Sequence, residues 1–558
     1  MRAKLLIKWN CLPWIVLVIL SIVCLYSCHD ESDPIDPSTV FRYNEHANVT
    51  TLDPAFAKDQ RNIWVCNQLY NGLVRLDKDL NVVPDLAESW EISSDGITYT
   101  FRLKRNIHFH GTKLLYVEPT HGGMFDGDYG WSHMRTVNAE DFKYSLSRLI
   151  DPEVASPGAW TMAGVEDMTA LDEHTLQIKL ERPNPTFLGI LTMKYCSVVP
   201  KEVVEDNEQS FRSHPIGTGP FYLRRWEENV KMVLRKNIHY HEKDSSGNSL
   251  PYLEAVAISF KPDKQSEFLE FVQGNIDFIN GLDPSYKDEL LTSNGKLKEK
   301  YEASVKLEKQ PFLNTEYLGL NLKDEGPLRS PSIRKALNIG FDRAEMIKYL
   351  KNNIGRPADR GFIPLGLPAG GTVDGFEYDL NRAKSLVETY KKEQQVQEVK
   401  ITISTGANYL DLCEYVQNEL EKTGLSVNVE VMPPSTLRQM RKSGKLAVFR
   451  SSWIADYPDA QNYLALFYSE NKTPIGSNYT FFENEMYDSL YTKSLKVNEV
   501  DKRLQLYSKM DSIIIAEAPI IPLYYDESVR FISKNVKGMS SNAVNMLELK
   551  KVRKKSAD

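Results

Sequence analysis

The chain has 558 residues, 42% hydrophobic and 26% charged: a globular composition, on a chain too long for one hydrophobic core, so two or three lobes are expected. A net charge of −7 argues against a nucleic-acid binder, and the basic cluster Lys550, Lys551, Arg553, Lys554 and Lys555 reads as a solvated tail. Tyrosine, at 28, outnumbers phenylalanine, at 22, which suits a wet recognition surface as well as a core.

The N-terminus comes first in chain order. Arg2, Lys4 and Lys8 precede an apolar run, residues 11–26, with no acidic residue among them. A basic region, an apolar region and a small residue describe a secretory signal, and the run is shorter than the ~20 residues of a spanning helix. Residues 25–28 (LYSC) resemble the lipobox of bacterial lipoproteins. That resemblance implies that residues 1–27 are removed and that Cys28 becomes the acylated first residue, facing away from the cytoplasm. The competing reading is an uncleaved membrane anchor. Residues 29–38 (HDESDPIDPS) are acidic and contain proline, as a solvated tether does. Beyond the signal only Cys66, Cys196 and Cys413 remain, widely spaced and without a CxxC pair. Neither a disulfide framework nor a thiolate zinc site is suggested.

Residues 98–103 (TYTFRL) alternate as a half-buried strand does, after the turn signal SSDG at 93–96. Residues 137–149 (VNAEDFKYSLSRL) predict a helix with Asn138 as N-cap and Glu140 and Asp141 in its first turn. Between them, residues 111–134 form a Gly-rich, aromatic loop long enough to be functional. Residues 174–180 read as a strand, and GTGP at 217–220 as a turn into the strand start FYL. The second half has α/β character: helices at 331–349, 381–391 and 411–422, the last closed near Gly424, with strands at 400–404 and 426–431. A final helix, about 500–518, meets Pro519 and then a strand IIPLYY.

Catalytic signatures are missing from the sequence: no GxSxG elbow, HExxH helix, Walker A loop or GxGxxG occurs. His108/His110 and His239/His241 each have strand spacing that suits a metal, but lack a recognised carboxylate pattern and read as surface or rim histidines. No cofactor is expected. One segment stands out. After the apolar strand at 446–449, Arg450 and Asp456 bracket Trp453, with Tyr457 following. Such a segment offers a cation, an anion and an aromatic wall, the partners that a zwitterion needs in a buried site. The competing reading is a structural Arg–Asp pair at a surface turn.

Several short motifs in order carry a resemblance that covers most of the mature chain. They are TLDP at 51–54, QLYNGL at 68–73, PDLAESW at 84–90, DG at 95–96 with TYTFRL at 98–103, and VNAEDF at 137–142. GTGP at 217–220, GNID at 274–277, RKAL at 334–337, WIAD at 453–456 and AP at 518–519 complete the series. In this order the chain resembles the family 5 bacterial extracellular solute-binding proteins, the oligopeptide- and dipeptide-binding lipoproteins of ABC importers. The resemblance implies an α/β, two-lobed periplasmic-binding-protein fold of type II, large peptide-binding class, with an extra domain on the first lobe. It implies a ligand buried between closing lobes. It also implies that Asp456 holds the ligand's ammonium, that Arg450 helps balance its carboxylate, and that Lys58, Asp59 and Gln60 pair with its backbone. The loop at 111–134 is longer than the family's usual turn.

The expected division is a signal at 1–27, tether and lobe I at 28–70, an extra domain at 71–193, lobe I again at 194–280, lobe II at 281–520, and a lobe I return with basic tail at 521–558. The expected role is capture of short peptides and delivery to an ABC permease, by a monomer held to a membrane through lipid, without enzymatic activity. The alternatives are a non-peptide ligand on the same fold (a nickel chelate, a sugar or haem) and a sensor or surface lipoprotein without transport.

Overall fold

Two long strands, Val305–Leu320 and Ile520–Ser533, pair antiparallel and form the spine of the molecule. The computed structural model describes residues 36–115, 134–206, 210–283, 285–323 and 325–555. The expected signal, Cys28 and most of the 111–134 loop lie outside the described residues.

From the two spine strands one 11-stranded sheet grows in both directions. On one side follow Val448–Ile454, Lys400–Thr405 and Ser426–Val431. On the other follow Phe278–Asn280, Val40–Glu45, Ala255–Phe260, Lys231–Lys236 and Phe221–Glu227, while Arg356–Pro357 pairs with Ile520–Ser533. A separate antiparallel sheet of four strands takes the order Ala87–Ile92, Thr98–Leu103, Thr175–Leu180, Val165–Asp172. Ser426–Val431, Lys400–Thr405 and Val448 run parallel, the arrangement that crossover helices produce.

The apolar residues divide along the same line. One core joins Phe41, Tyr43, Trp64, Phe101, Phe142 and Phe221 with Leu547, Leu549 and Val552 from the chain end. A second joins Leu318, Ile333, Leu337, Val416 and Leu420; a third joins Tyr317, Phe362, Tyr463, Phe467 and Met510. Ile520–Ser533 contributes to all three: Leu523 to the second, Ile520 to the third and Ile532 to the first. The chain end therefore returns to the core that its beginning built.

Local sequence accounts for most elements. Thr98–Leu103, Thr175–Leu180, Lys400–Thr405 and Ser426–Val431 are strands, as their alternation predicts. Helix Ala139–Ile150 begins in a capping box: Asp141 N–H donates to the Asn138 side chain at 3.0 Å, and Asn138 N–H donates to Asp141 Oδ2 at 2.9 Å. The single helix expected over 331–349 is instead two, Pro331–Ile339 and Arg343–Lys351. Gly340 closes the first; a Cβ there would meet Ala336 O at 2.8 Å and Leu420 Cδ2 at 2.9 Å. Asp342 then caps the second by accepting from the amides of Ala344 and Glu345. The strand after Pro519 runs twice as far as its apolar start suggests. Pro522, which has no N–H to give, sits where the register to Val305–Leu320 shifts.

Candidate ligand-binding cleft

The candidate site grows from one strand and one helix. Gly217 and Gly219 press the turn at 217–220 onto the end of helix Gln60–Leu69: a Cβ on Gly217 would lie 2.1 Å from Leu69 O, and Gly219 N–H donates to Leu69 O at 2.9 Å. At the other end of that helix stand Lys58, Asp59 and Gln60. The turn that delivers them is braced by Asp53, which accepts from Ala55 N–H at 3.0 Å and pairs with Arg148 Nη2 at 2.7 Å in a buried contact. Lys58 and Gln60 are exposed. Asp59 occupies the N-cap position without capping its helix; its nearest cation is Arg61, at 3.8 Å.

The second element is strand Val448–Ile454. Ala455 N–H donates to Leu313 O and Asn321 N–H to Ala447 O, so the odd-numbered residues turn their backbone groups toward Val305–Leu320. The backbone groups of Arg450, Ser452 and Ile454 therefore point to the opposite edge. The neighbour on that edge, Lys400–Thr405, is in register with Val448 and Phe449 and no further. The bridge of Ser404 to Phe449 takes up the Arg450 N–H, and from the Arg450 carbonyl onward this edge has no strand partner among the described residues.

Asp456 ends this edge. Asn462, itself buried, accepts from Trp453 Nε1–H at 2.6 Å and from Asp456 N–H at 3.3 Å, and donates Nδ2–H to Asp456 Oδ2 at 3.3 Å. Asp456 is open to solvent, yet desolvation by the surrounding protein holds its carboxyl above the usual carboxylate value, against the lowering effect of the Asn462 bond. Tyr457 is buried and bonds Gln461. Its ring lies 6.4 Å from that of Trp160, and Gly189 faces its Cβ. Nearby, the Tyr195 phenol is pushed up to about 12, first by burial and then by the charges of Asp456 and Asp59. The structure thus brings Asp456 and Asp59, 397 positions apart in sequence, to bear on one phenol.

Arg450 takes a different partner from Asp456. It pairs with Glu316, a diagonal neighbour on the same sheet face, and its guanidinium carbon lies 3.2 Å from the centre of the Tyr409 ring. Burial opposes its charge most strongly, but Glu316 together with the neighbouring tyrosines holds Arg450 above its ordinary value. Arg450 and Asp456 therefore stand at two ends of one strand, about 20 Å apart if extended.

Sequence reasoning missed Glu316, Asn462, Tyr195 and Tyr409. For Glu316 a signal existed: one acid within the otherwise uncharged run 310–322. Of the paired histidines, His110 departs from the expected surface or rim position. His110 is buried, accepts from Gly217 N–H at 3.2 Å and donates to Gly219 O at 3.0 Å. His241 lies near Asp85 and Glu242, but Glu242 pairs with Lys550 at 2.9 Å and Asp85 accepts from Asn71 and Gly72. A separate cavity of about 50 Å³ beside Gln68, Lys194 and Lys550 has room for a few waters, not a solute.

Comparison with known proteins places these features. Residues 81–474 match the family model described as bacterial extracellular solute-binding proteins, family 5 Middle. The dipeptide-binding protein DppE of Bacillus subtilis is 25% identical over 552 residues, covering 94% of this chain and 93% of that protein. The glutathione-binding protein GsiB of Salmonella choleraesuis is 26% identical over 502 residues, covering 88% and 90%. The periplasmic binding protein DppA from Helicobacter pylori, in complex with the peptide STSA, superposes with a TM-score of 0.74 at 25% identity, covering 92% of this chain and 98% of that one. The architecture is the two-lobed type II binding-protein fold, and the chain belongs to the family 5 bacterial extracellular solute-binding proteins.

Proposed function

We propose that this protein captures short peptides in the cleft between its lobes and delivers them to an ABC permease. The observation that carries the reading is the free backbone edge of Val448–Ile454 ending at the Asp456 carboxylate. A strand edge binds an extended peptide through main-chain hydrogen bonds, whatever its side chains. A carboxylate at the end of that edge supplies a partner for the peptide's free ammonium. Asp59, Lys58 and Gln60 line the opposing wall, Trp453 and Tyr457 supply aromatic surface beside Asp456, and Arg450 lines the far end. The lobes are assigned as 28–70, 194–280 and 521–558 for the first, with 71–193 as its extra domain, and 281–520 for the second. Ligand contacts from both walls favour the closed arrangement, a population shift driven by binding.

The protein binds its ligand without chemical change and acts as a monomer, without a cofactor. Residues 1–27 are a signal, and lipid on Cys28 tethers the body outside the cytoplasmic membrane. The names of the relatives support the peptide reading: one is a dipeptide-binding protein and one was solved with a tetrapeptide. Mass spectrometry of the small molecules that co-purify with the protein tests it. Peptides of mixed sequence are expected; one non-peptide species would replace the reading with a dedicated non-peptide site.

A further inference from the structure

The far end of the pairing edge is electrically closed. Arg450, which stands there, gives its guanidinium to Glu316, whose side chain is 4% exposed. Beside this pair a second one is complete: Lys351 Nζ lies 2.9 Å from Asp526 Oδ1 and 4.0 Å from the centre of the Tyr524 ring. Asn314 joins the two, donating Nδ2–H to Glu316 Oε1 at 3.1 Å and to Asp526 Oδ2 at 3.4 Å. Two cations and two anions leave no net charge. One donor nevertheless remains: Arg450 Nε–H is buried and has no hydrogen-bond partner among the described residues.

A neutral pair with one spare donor selects by charge. A ligand carboxylate brought to Arg450 would lie beside the Glu316 carboxylate, and the like-charge repulsion would be little screened in a closed cleft. A carbonyl oxygen accepts from Nε–H and adds no charge, so the buried donor gains its partner without that cost. We infer that Glu316 makes this cleft read a neutral carbonyl at Arg450, so that it takes peptides with a free amino terminus whose far end there is an amide rather than a free carboxylate. An amidated carboxyl terminus meets this requirement, and so does a peptide bond in a ligand that continues past Arg450. Glu316 is then a specificity-determining residue. The inference rests on the proposed peptide capture and adds to it the charge of the ligand's other end.

Equilibrium capture tests it with random-sequence pools roughly three to eight residues long, matched to a span of about 20 Å. Each pool is prepared as free acid and as C-terminal amide, and retained peptide is read by mass spectrometry. The wild-type protein should retain amide over acid by about threefold or more at the length whose end reaches Arg450, and Glu316→Gln, which leaves Arg450 unneutralised, should reverse this and favour the acid. Absence of a wild-type preference for the amide at every length overturns the inference while leaving peptide capture intact. An acid-to-amide ratio unchanged by Glu316→Gln at every length overturns it as well. Retention of neither pool at any length removes the peptide reading, and this inference with it. Should Glu316→Gln fail to fold, the wild-type series alone decides.

Discussion

Asn462 grips Asp456 at two points, accepting from its backbone N–H and donating to its carboxylate, both at 3.3 Å. The same Oδ1 accepts from Trp453 Nε1–H, so one buried amide sets the indole and the carboxylate relative to each other. A surface aspartate would otherwise sample several rotamers, and this clamp lowers the ordering cost that a ligand must overcome.

Asn462→Ala should therefore weaken peptide binding by about 1–3 kcal/mol while leaving Asp456 in place. The loss should be larger for peptides with a free amino terminus than for N-acetylated ones, as calorimetry would show. Equal losses for both would mean that Asn462 braces the loop without orienting the carboxylate.

Gly217→Ala should be strongly destabilising, because the added Cβ would meet the Leu69 carbonyl at 2.1 Å and backbone cannot swing aside as a side chain can. The helix bearing Asp59 at its start should loosen with it. Thermal melting should show a clear fall in Tm, and hydrogen exchange should quicken over residues 60–69. An unchanged melt would contradict the packing described.

His110 makes stability depend on pH. Burial lowers its pKa from 6.5 to about 4, and the bond to Gly219 O only partly opposes this. Between these values the unfolded chain binds a proton that the folded one does not. The contribution is therefore full above pH 6.5 and is lost as pH falls toward 4, by roughly 3 kcal/mol in all. Asp511 acts in the opposite direction: burial raises it to about 7, so its contribution fades as pH rises from about 4 to 7. The two slopes oppose each other in the wild type. The acid-side loss of Tm should thus be smaller in His110→Gln than in wild type, and larger in Asp511→Asn. No difference among the three proteins between pH 7 and 4.5 would refute both assignments.

Cys28→Ser should release the protein from membrane fractions or leave residues 1–27 attached. A variant that stays on membranes with a normally processed N-terminus would exclude lipid on Cys28.

Most of the secondary structure was legible because it is local. The capping box at Asn138 and the alternation in Thr98–Leu103 need no distant partner. The split at Gly340 was overlooked although Gly340 and the N-cap Asp342 are local stop and start signals. At the cleft the limit is distance along the chain. Arg450, Trp453 and Asp456 lie in one short segment that stands out by composition. Glu316, which decides what Arg450 does, is 134 positions away and reaches it only through strand register. Asp59 and Asp456 act on Tyr195 only through folding that joins distant parts of the chain.

The central claim is that a carboxylate at the end of a free strand edge captures peptide ammonium groups. Calorimetry with one peptide pool, free and N-acetylated, against wild type and Asp456→Asn tests it most directly. Acetylation should weaken binding to wild type by roughly 2–5 kcal/mol, Asp456→Asn should lose a similar amount for the free pool, and the variant should barely distinguish the two pools. Equal affinity of the wild-type protein for free and acetylated peptides would contradict the account.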